Sequence, residues 1–235
     1  MQPKNKVSSR PGGHAILVWD LPVRLFHWSL VLLLVTAWVT AHLTLEAMYW
    51  HKLAGYAILS LILFRIVWGF AGSRHARFAD FIRGPGAALR HLHQSSSAED
   101  GGHPIGHNPL GGYMVLLLML LVLIQALTGL FASDQIMIDG PLVSRVSSDV
   151  SEWATRIHKI NINILIIASG VHIAAILFYL FKRSENLIRP MITGYKDVAA
   201  PAEPLRPGNG LVLQAAVIFA AAVAVVWMLV RFGGG

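Results

Sequence analysis

Residues 156–181 read RIHKININILIIASGVHIAAILFYLF. Most residues of this stretch are apolar. A helix needs about 20 residues to cross the hydrocarbon core of a bilayer, and this stretch is longer. Two histidines, His158 and His172, interrupt it. Because a polar ring in hydrocarbon is costly unless it finds a partner, both are functional candidates on a membrane-spanning helix.

Four other blocks have the same character. With the quoted stretch they give predicted spans at 25–44, 51–71, 110–132, 156–181 and 211–232. The chain is 55% hydrophobic and 13% charged, which is too few charges for a soluble domain of 235 residues. Strands of a β-barrel are about half as long and alternate in hydropathy, which these blocks do not. The sequence therefore predicts an all-α integral membrane protein, a four-helix transmembrane bundle with a fifth C-terminal transmembrane helix.

The connections divide the chain into four predicted parts. Residues 1–24 form an N-terminal segment, 25–198 the four-helix domain, 199–210 a linker rich in proline, and 211–235 the extra helix. Within the long connection 72–108, residues 78–91 are expected to form a short helix at the membrane interface.

Lysine and arginine are concentrated in alternate loops. The N-terminal segment and the connections 72–108 and 182–210 are rich in them, whereas the opposite connections carry Glu46, Asp134, Asp139, Asp149 and Glu152. Since cationic loops stay in the cytoplasm, the N-terminus is predicted to be cytoplasmic and the C-terminus to lie outside. The net charge of +7 then reflects loops beside anionic lipid headgroups, and no nucleic acid is expected as a partner.

The chain contains no cysteine. This excludes covalently attached c-type haem, iron–sulfur clusters bound by thiolates, zinc thiolate sites and disulfides. A redox cofactor would have to be held by histidine, methionine or non-covalent contacts.

Four of the eleven histidines lie in the predicted spans: His27, His51, His158 and His172. His158 and His172 share one helix face, since their spacing is about 40° short of four full turns, and they are separated by about 21 Å along the axis. Depth then pairs His51 with His158 at the outer side and His27 with His172 at the inner side. Each pair can supply two axial imidazoles to an iron, which predicts two haem b groups stacked across the membrane.

Residues near these pairs suit a haem pocket. Gly55 lies one turn from His51, where a missing side chain lets a flat macrocycle approach. Haem carboxylates need cations, and the expected ones are Lys52, Arg156 and Lys159 for the outer haem and Arg65 and Arg24 for the inner haem. Other interpretations stay open, because intramembrane histidines also bond between helices, glycines pack helices, and cations near span ends anchor at the interface.

Several segments together resemble the bacterial cytochrome b561 family, which includes the b-type cytochrome subunits of nickel-iron hydrogenases and a related formate dehydrogenase subunit. They are WDLPVRLFHW at 19–28, HKLAGY at 51–56, FRIVW at 64–68, GHNPLGG at 106–112 and the helix with His158 and His172. The resemblance covers about residues 16–196, the four-helix core. It implies a bacterial inner-membrane protein with the same histidine pairing.

The resemblance also implies a quinone site near the inner haem, bordered by His107, Asn108 and Gly112. Asparagine and histidine can donate hydrogen bonds to quinone oxygens, and glycine leaves room for a ring. Asn108 followed by proline is also a common way to begin a helix. The fifth span departs from the four-helix pattern, has no histidine, and is expected to pack outside the bundle or against another subunit.

These features predict an electron-transfer subunit of a respiratory chain. Electrons would pass between the quinone pool and a periplasmic partner, either a c-type cytochrome or a hydrogenase-like protein. The alternative is a self-contained superoxide:ubiquinone oxidoreductase, with Lys52, Arg156 and Lys159 as its cationic funnel. A haem-free transporter or scaffold would require all four histidines to be structural. Association of several copies of the chain is left open.

Overall fold

The computed structural model describes residues 14–82, 84, 86, 109–198 and 209–233. Its elements in chain order are β1 (His14–Leu17), α1 (Leu21–Thr40), α2 (Ala47–Ala71), α3 (Phe78–Phe81), α4 (Pro109–Phe131), α5 (Ser148–Lys182), α6 (Ile188–Thr193), β2 (Tyr195–Val198) and α7 (Asn209–Gly233). In this described part, α1, α2, α4, α5 and α7 are long and apolar enough to cross a membrane. The predicted all-α membrane architecture is therefore confirmed.

Helix α1 begins at Leu21, earlier than the predicted start of its span at 25. Asp20 caps it, since the side-chain oxygen Oδ1 accepts a hydrogen bond from the backbone N–H of Val23 at 2.8 Å. Pro22 occupies the first turn, where its missing N–H costs nothing. The helix ends at Thr40, and a turn over residues 41–46 leads into α2.

Helix α5 also begins before its predicted start at 156. Ser147 caps it and accepts from the N–H of Val150, so a polar first turn precedes the apolar span. Of the short helix predicted at 78–91, the structure shows α3 at Phe78–Phe81, and residues 87–108 lie outside the described residues.

Helix α2 is the centre of the bundle. It packs against α1, α4 and α7, while α4 packs closely against α5. In its most apolar window 56% of the residues are buried, against 11% in α1 and in α5. Helix α5 makes at most marginal backbone contact with α1 and α2, although it faces both.

Helix α7 packs along the back of α2. Its buried residues are small or branched: Ala215, Ala222 and Val226. At one end Gln214 donates to the carbonyl of Ala71, the last residue of α2, at 3.4 Å. At the other end Arg145 donates from Nε to the carbonyl of Gly233 at 2.7 Å. Of the two expectations for the fifth helix, the structure shows packing on the outside of the bundle.

Loops of like charge lie at the same end of the bundle. Strands β1 and β2 pair antiparallel, with Ile16 opposite Lys196, so the segments before α1 and after α5 meet. The end of α2 lies there too, because the indole of Trp68 donates to Asp20. The loop over 132–147 lies at the opposite end, beside the end of α7. The compartment that each end faces stays a prediction.

Candidate functional site

His51 lies on the second turn of α2 and is half-buried. Its Nδ1 is 2.8 Å from the backbone carbonyl oxygen of Ala37 on α1. Because a carbonyl oxygen only accepts hydrogen bonds, Nδ1 must carry the proton in this contact. The other ring nitrogen, Nε2, then keeps its lone pair and can act as a metal ligand.

His158 on α5 is oriented in the same way, by a hydrogen bond from Nδ1 to a backbone carbonyl. Its Nδ1 is 2.9 Å from the backbone carbonyl of Gln125 on α4, and the hydroxyl of Thr128 lies 3.3 Å from the same nitrogen. That hydroxyl already donates to the carbonyl of Ile124 at 2.7 Å, so Nδ1 donates here too. A Cβ placed on Gly129 would stand 3.0 Å from the ring, and the glycine therefore leaves the space that His158 occupies.

The two rings face each other at a distance that suits one iron between them. The centres of His51 and His158 are 6.2 Å apart, with 78° between the ring planes. Metal–imidazole bonds of about 2 Å, together with about 1.1 Å from each nitrogen to its ring centre, place two axial imidazoles about 6 Å apart. The structure thus brings together the outer pair that depth predicted.

His27 and His172 lie near each other, toward the other end of the bundle. They lie close enough for their charges to interact, and both are only partly exposed. Nδ1 of His27 is buried and has no hydrogen-bond partner among the described residues. Trp28 packs against the same ring edge-on, with centres 5.0 Å apart. The inner pair is therefore also brought together, and one of its nitrogens still lacks an acceptor.

Two glycines near these histidines face open space. A Cβ at Gly55 on α2, or at Gly170 on α5, would have no atom of the described chain within 4 Å. Gly55 is one turn from His51, and Gly170 is two residues before His172. The open space at Gly55 lies on the same face of α2 as His51 and fits a flat macrocycle, whereas Gly170 is exposed and lies on the face of α5 opposite to His172.

Arg65 is the most deeply buried cation in the described part of the chain, with 3% of its surface exposed. Its guanidinium carbon lies 5.2 Å from the centre of the Phe78 ring. Asp20 is close enough to attract it, yet Nη1 is buried without a hydrogen-bond partner. A buried guanidinium with an unused donor is a suitable partner for a haem carboxylate.

Arg24 contacts the end of α6, a contact that the sequence did not predict. Its Nη1 donates to the carbonyl of Ile192 at 2.6 Å, and Trp28 donates to the carbonyl of Met191 at 3.2 Å. Both contacts join the start of α1 to the last turn of α6, where exposed carbonyls attract donors. Nε of Arg24 is buried and has no hydrogen-bond partner among the described residues.

The predicted outer cations lie in a mixed electrostatic setting. Arg156 and Lys159 line a pocket of about 650 Å³ together with Asp134 and Glu152. The backbone N–H groups of Ile138, Ile136 and Met137 hold the pKa of Asp134 below its usual range, so it stays negative at neutral pH. Charges of both signs do not focus an anion, and the pocket does not favour the superoxide alternative.

Among the predicted quinone residues the structure describes Gly112, and His107 and Asn108 lie outside the described residues. Gly112 is buried, and a Cβ there would stand 2.9 Å from the carbonyl oxygen of Phe81. The glycine therefore allows α3 to lie close against the start of α4. This close packing is sufficient to explain a glycine at position 112 without a quinone.

Two amide side chains in the spans belong to the site and were not predicted. Asn161 is 4% exposed and donates from Nδ2 to the carbonyl of Leu121 at 2.9 Å and to Oε1 of Gln125 at 2.7 Å. This ties α5 to the residue whose carbonyl orients His158. The rule that singled out the histidines, polarity within an apolar span, would have found both amides.

A comparison with known protein families identifies the family of this chain. The model of the prokaryotic cytochrome b561 family matches residues 18–194, most of the chain. The chain belongs to this family. No curated protein and no solved structure gave a match. As a cytochrome b561, it binds haem b and carries electrons across a membrane.

If haem occupies the space beside the histidine pairs, the glycines there will not tolerate a large side chain. We expect Gly55→Leu to lower the haem content of the cytochrome, measured per chain by pyridine haemochrome, while the protein still elutes as a folded species. Gly210→Leu is the matched control, because Gly210 also has nothing within 4 Å but lies on α7, away from the histidines. Equal haem content in both variants would place the haem elsewhere.

Proposed function

We propose that this cytochrome b561 holds two haems and relays electrons between the membrane quinone pool and a periplasmic redox partner. The facing pair of His51 and His158 carries the proposal, because both rings use Nδ1 on a backbone carbonyl and their centres are 6.2 Å apart. Each of these hydrogen bonds joins two helices and uses only Nδ1, so the other ring nitrogen of each histidine keeps a lone pair for a metal.

The residues divide between two sites. His51 and His158 would hold the outer haem, Gly55 would leave room for its ring, and Lys52, Arg156 and Lys159 would be the cations for its carboxylates. For the inner haem, His27 and His172 are the ligands, and Arg65 and Arg24 are the carboxylate partners. When bound, haem b supplies reversible one-electron chemistry, and the protein sets its position and electrostatic environment.

The two histidine pairs would hold the two haems between the helices. Backbone carbonyls of Ala37 and Gln125 fix the tautomers of His51 and His158 and raise the basicity of the ligating nitrogens. Buried Arg65 offers its free Nη1 to a carboxylate of the inner haem. This cation would favour the reduced form of that haem, since it opposes the loss of an electron.

We place the quinone site at the inner side, beside the inner haem and the start of α4. The support is the family membership and the chemistry of His107 and Asn108, which can hydrogen-bond quinone oxygens. The periplasmic partner would exchange electrons with the outer haem at the end that carries Glu46, Asp134, Asp139, Asp149 and Glu152. An acidic rim there would steer a basic partner such as a c-type cytochrome.

The histidine pairing predicts how substitutions combine. We expect His51→Leu and His158→Leu each to remove one haem per chain, and the double variant to retain the same single haem. Combining His51→Leu with His27→Leu should remove both. Pyridine haemochrome on purified protein gives the count. Loss of both haems in the His51→Leu/His158→Leu variant would contradict the pairing, provided that circular dichroism shows an intact helical fold.

The position of the quinone site predicts which single-haem protein quinol can reduce. Protein without the outer haem (His51→Leu) should still be reduced by a soluble quinol analogue, at a rate near that of the wild type. Protein without the inner haem (His172→Leu) should be reduced at least tenfold more slowly. Stopped-flow absorbance in the visible α-band measures both rates. The reverse order would move the quinone site to the outer end.

The orientation can be tested because the native chain has no cysteine. Met137 in the loop over 132–147 is 74% exposed, and Arg74 is exposed at the opposite end, after α2. We expect a membrane-impermeant maleimide to label Met137→Cys in intact spheroplasts, and Arg74→Cys only after the membrane is permeabilised. Labelling of Arg74→Cys alone in intact spheroplasts would invert the proposed topology.

A further inference from the structure

Asp20 is a buried carboxylate that has no role in the proposed electron transfer. It is 7% exposed and lies at the start of α1, two helical turns before His27. Acidic residues are rarely buried to this extent unless they are paired. Its position, between the inner histidine pair and the charged end of the bundle, calls for an explanation beyond helix capping.

Three neutral donors occupy its two oxygens. Oδ1 accepts from the N–H of Val23 at 2.8 Å, and Oδ2 accepts from the indole Nε1 of Trp68 at 3.1 Å and from the hydroxyl of Ser73. Trp68 is fully buried and Ser73 is 8% exposed. The carboxylate thus joins the start of α1 to the end of α2, and it fixes His27 relative to α2.

Among the described residues, Asp20 has no cation in direct contact with its carboxylate. Arg65 is close enough to attract it, but the hydrogen bonds that Asp20 accepts come from other groups. The Nη1 donor of Arg65 therefore remains free for a second anion. The inner site combines one buried cation, one buried anion and, on the proposed function, a haem carboxylate beside them.

A buried negative charge near a haem stabilises the oxidised form, because that form carries one more positive charge. The low effective dielectric of the interior strengthens this effect relative to an exposed charge. We infer that Asp20 is a positioning residue for the inner haem. Its hydrogen bonds hold His27 and Arg65 at a fixed separation, and its charge lowers the midpoint potential of that haem. This inference rests on the proposed inner haem between His27 and His172.

The test is a redox titration of the intact cytochrome, followed in the visible α-band. Asp20→Asn keeps an oxygen to cap α1 and removes the charge, so the midpoint potential of the inner haem should rise while that of the outer haem stays fixed. The same substitution in the His51→Leu protein, which retains only the inner haem, assigns the shift. Glu152→Gln is the matched control, because it removes one negative charge at the opposite end, and it should leave the inner potential unchanged.

A second variant predicts a shift of opposite sign. Ser73→Ala removes one donor to Asp20 and exposes more of its charge to the site, so the inner potential should fall. This variant also serves if Asp20→Asn fails to fold. An unchanged inner potential in either folded variant, or equal shifts of both haems, would overturn the inference and leave Asp20 as a structural cap. A wild-type protein with fewer than two haems would instead defeat the proposed function itself.

Discussion

An imidazole in the hydrocarbon core must find a partner for each of its two nitrogens, because no water is present to supply one. In His51 and His158 the backbone satisfies one nitrogen and determines the tautomer, which leaves a lone pair on the other. The arrangement depends on where neighbouring helices place their carbonyls. Ala37 lies in the last turn of α1, and its oxygen also accepts from the N–H of Ala41. The end of α1 is therefore part of the site.

The same constraint explains the central place of α2. His51 and Arg65 lie fourteen residues apart on this helix and so share a face, as His158 and His172 do on α5. Because α1, α4 and α7 pack against the remaining faces of α2, its position is fixed on three sides. A single rigid helix can then present His51 toward one end of the bundle and Arg65 toward the other.

Much of this architecture could be predicted from the sequence. Apolar length gave the five helices, and a 3.6-residue period together with depth paired the histidines that the structure brings together. Other features depend on tertiary contacts that no periodicity reveals. Asp20 reads as an ordinary cap until Trp68 and Ser73 are seen to donate to it, and no sequence pattern shows that Arg24 donates one hydrogen bond to a carbonyl of α6.

Backbone acceptors and missing side chains are the hardest features to predict, since any residue has a carbonyl and many glycines merely pack helices. Gln125 orients His158 through its backbone carbonyl, which accepts a hydrogen bond from the ring. Gly129 leaves the space that the ring of His158 occupies. Gly112 was predicted to border the quinone site because it lies in the motif at 106–112. In the structure it lies close against Phe81. The side-chain amide of Gln125 was visible in the sequence, but its link to Asn161 required the register of α4 against α5.

The two spanning helices without histidine therefore have a shared role. Helix α4 fixes α5, because Asn161 on α5 donates hydrogen bonds to α4 and because the Gln125 carbonyl on α4 orients His158. Breaking the Asn161 contact would leave a buried amide unsatisfied, at a cost of about 1–3 kcal/mol in stability. Helix α7 fixes α2, through its small buried face and the contacts of Gln214 and Arg145 at its two ends. His51 and His158 thus each lie on a helix that packs against a helix without a histidine. The fifth helix, which departs from the four-helix pattern, supports α2 as α4 supports α5.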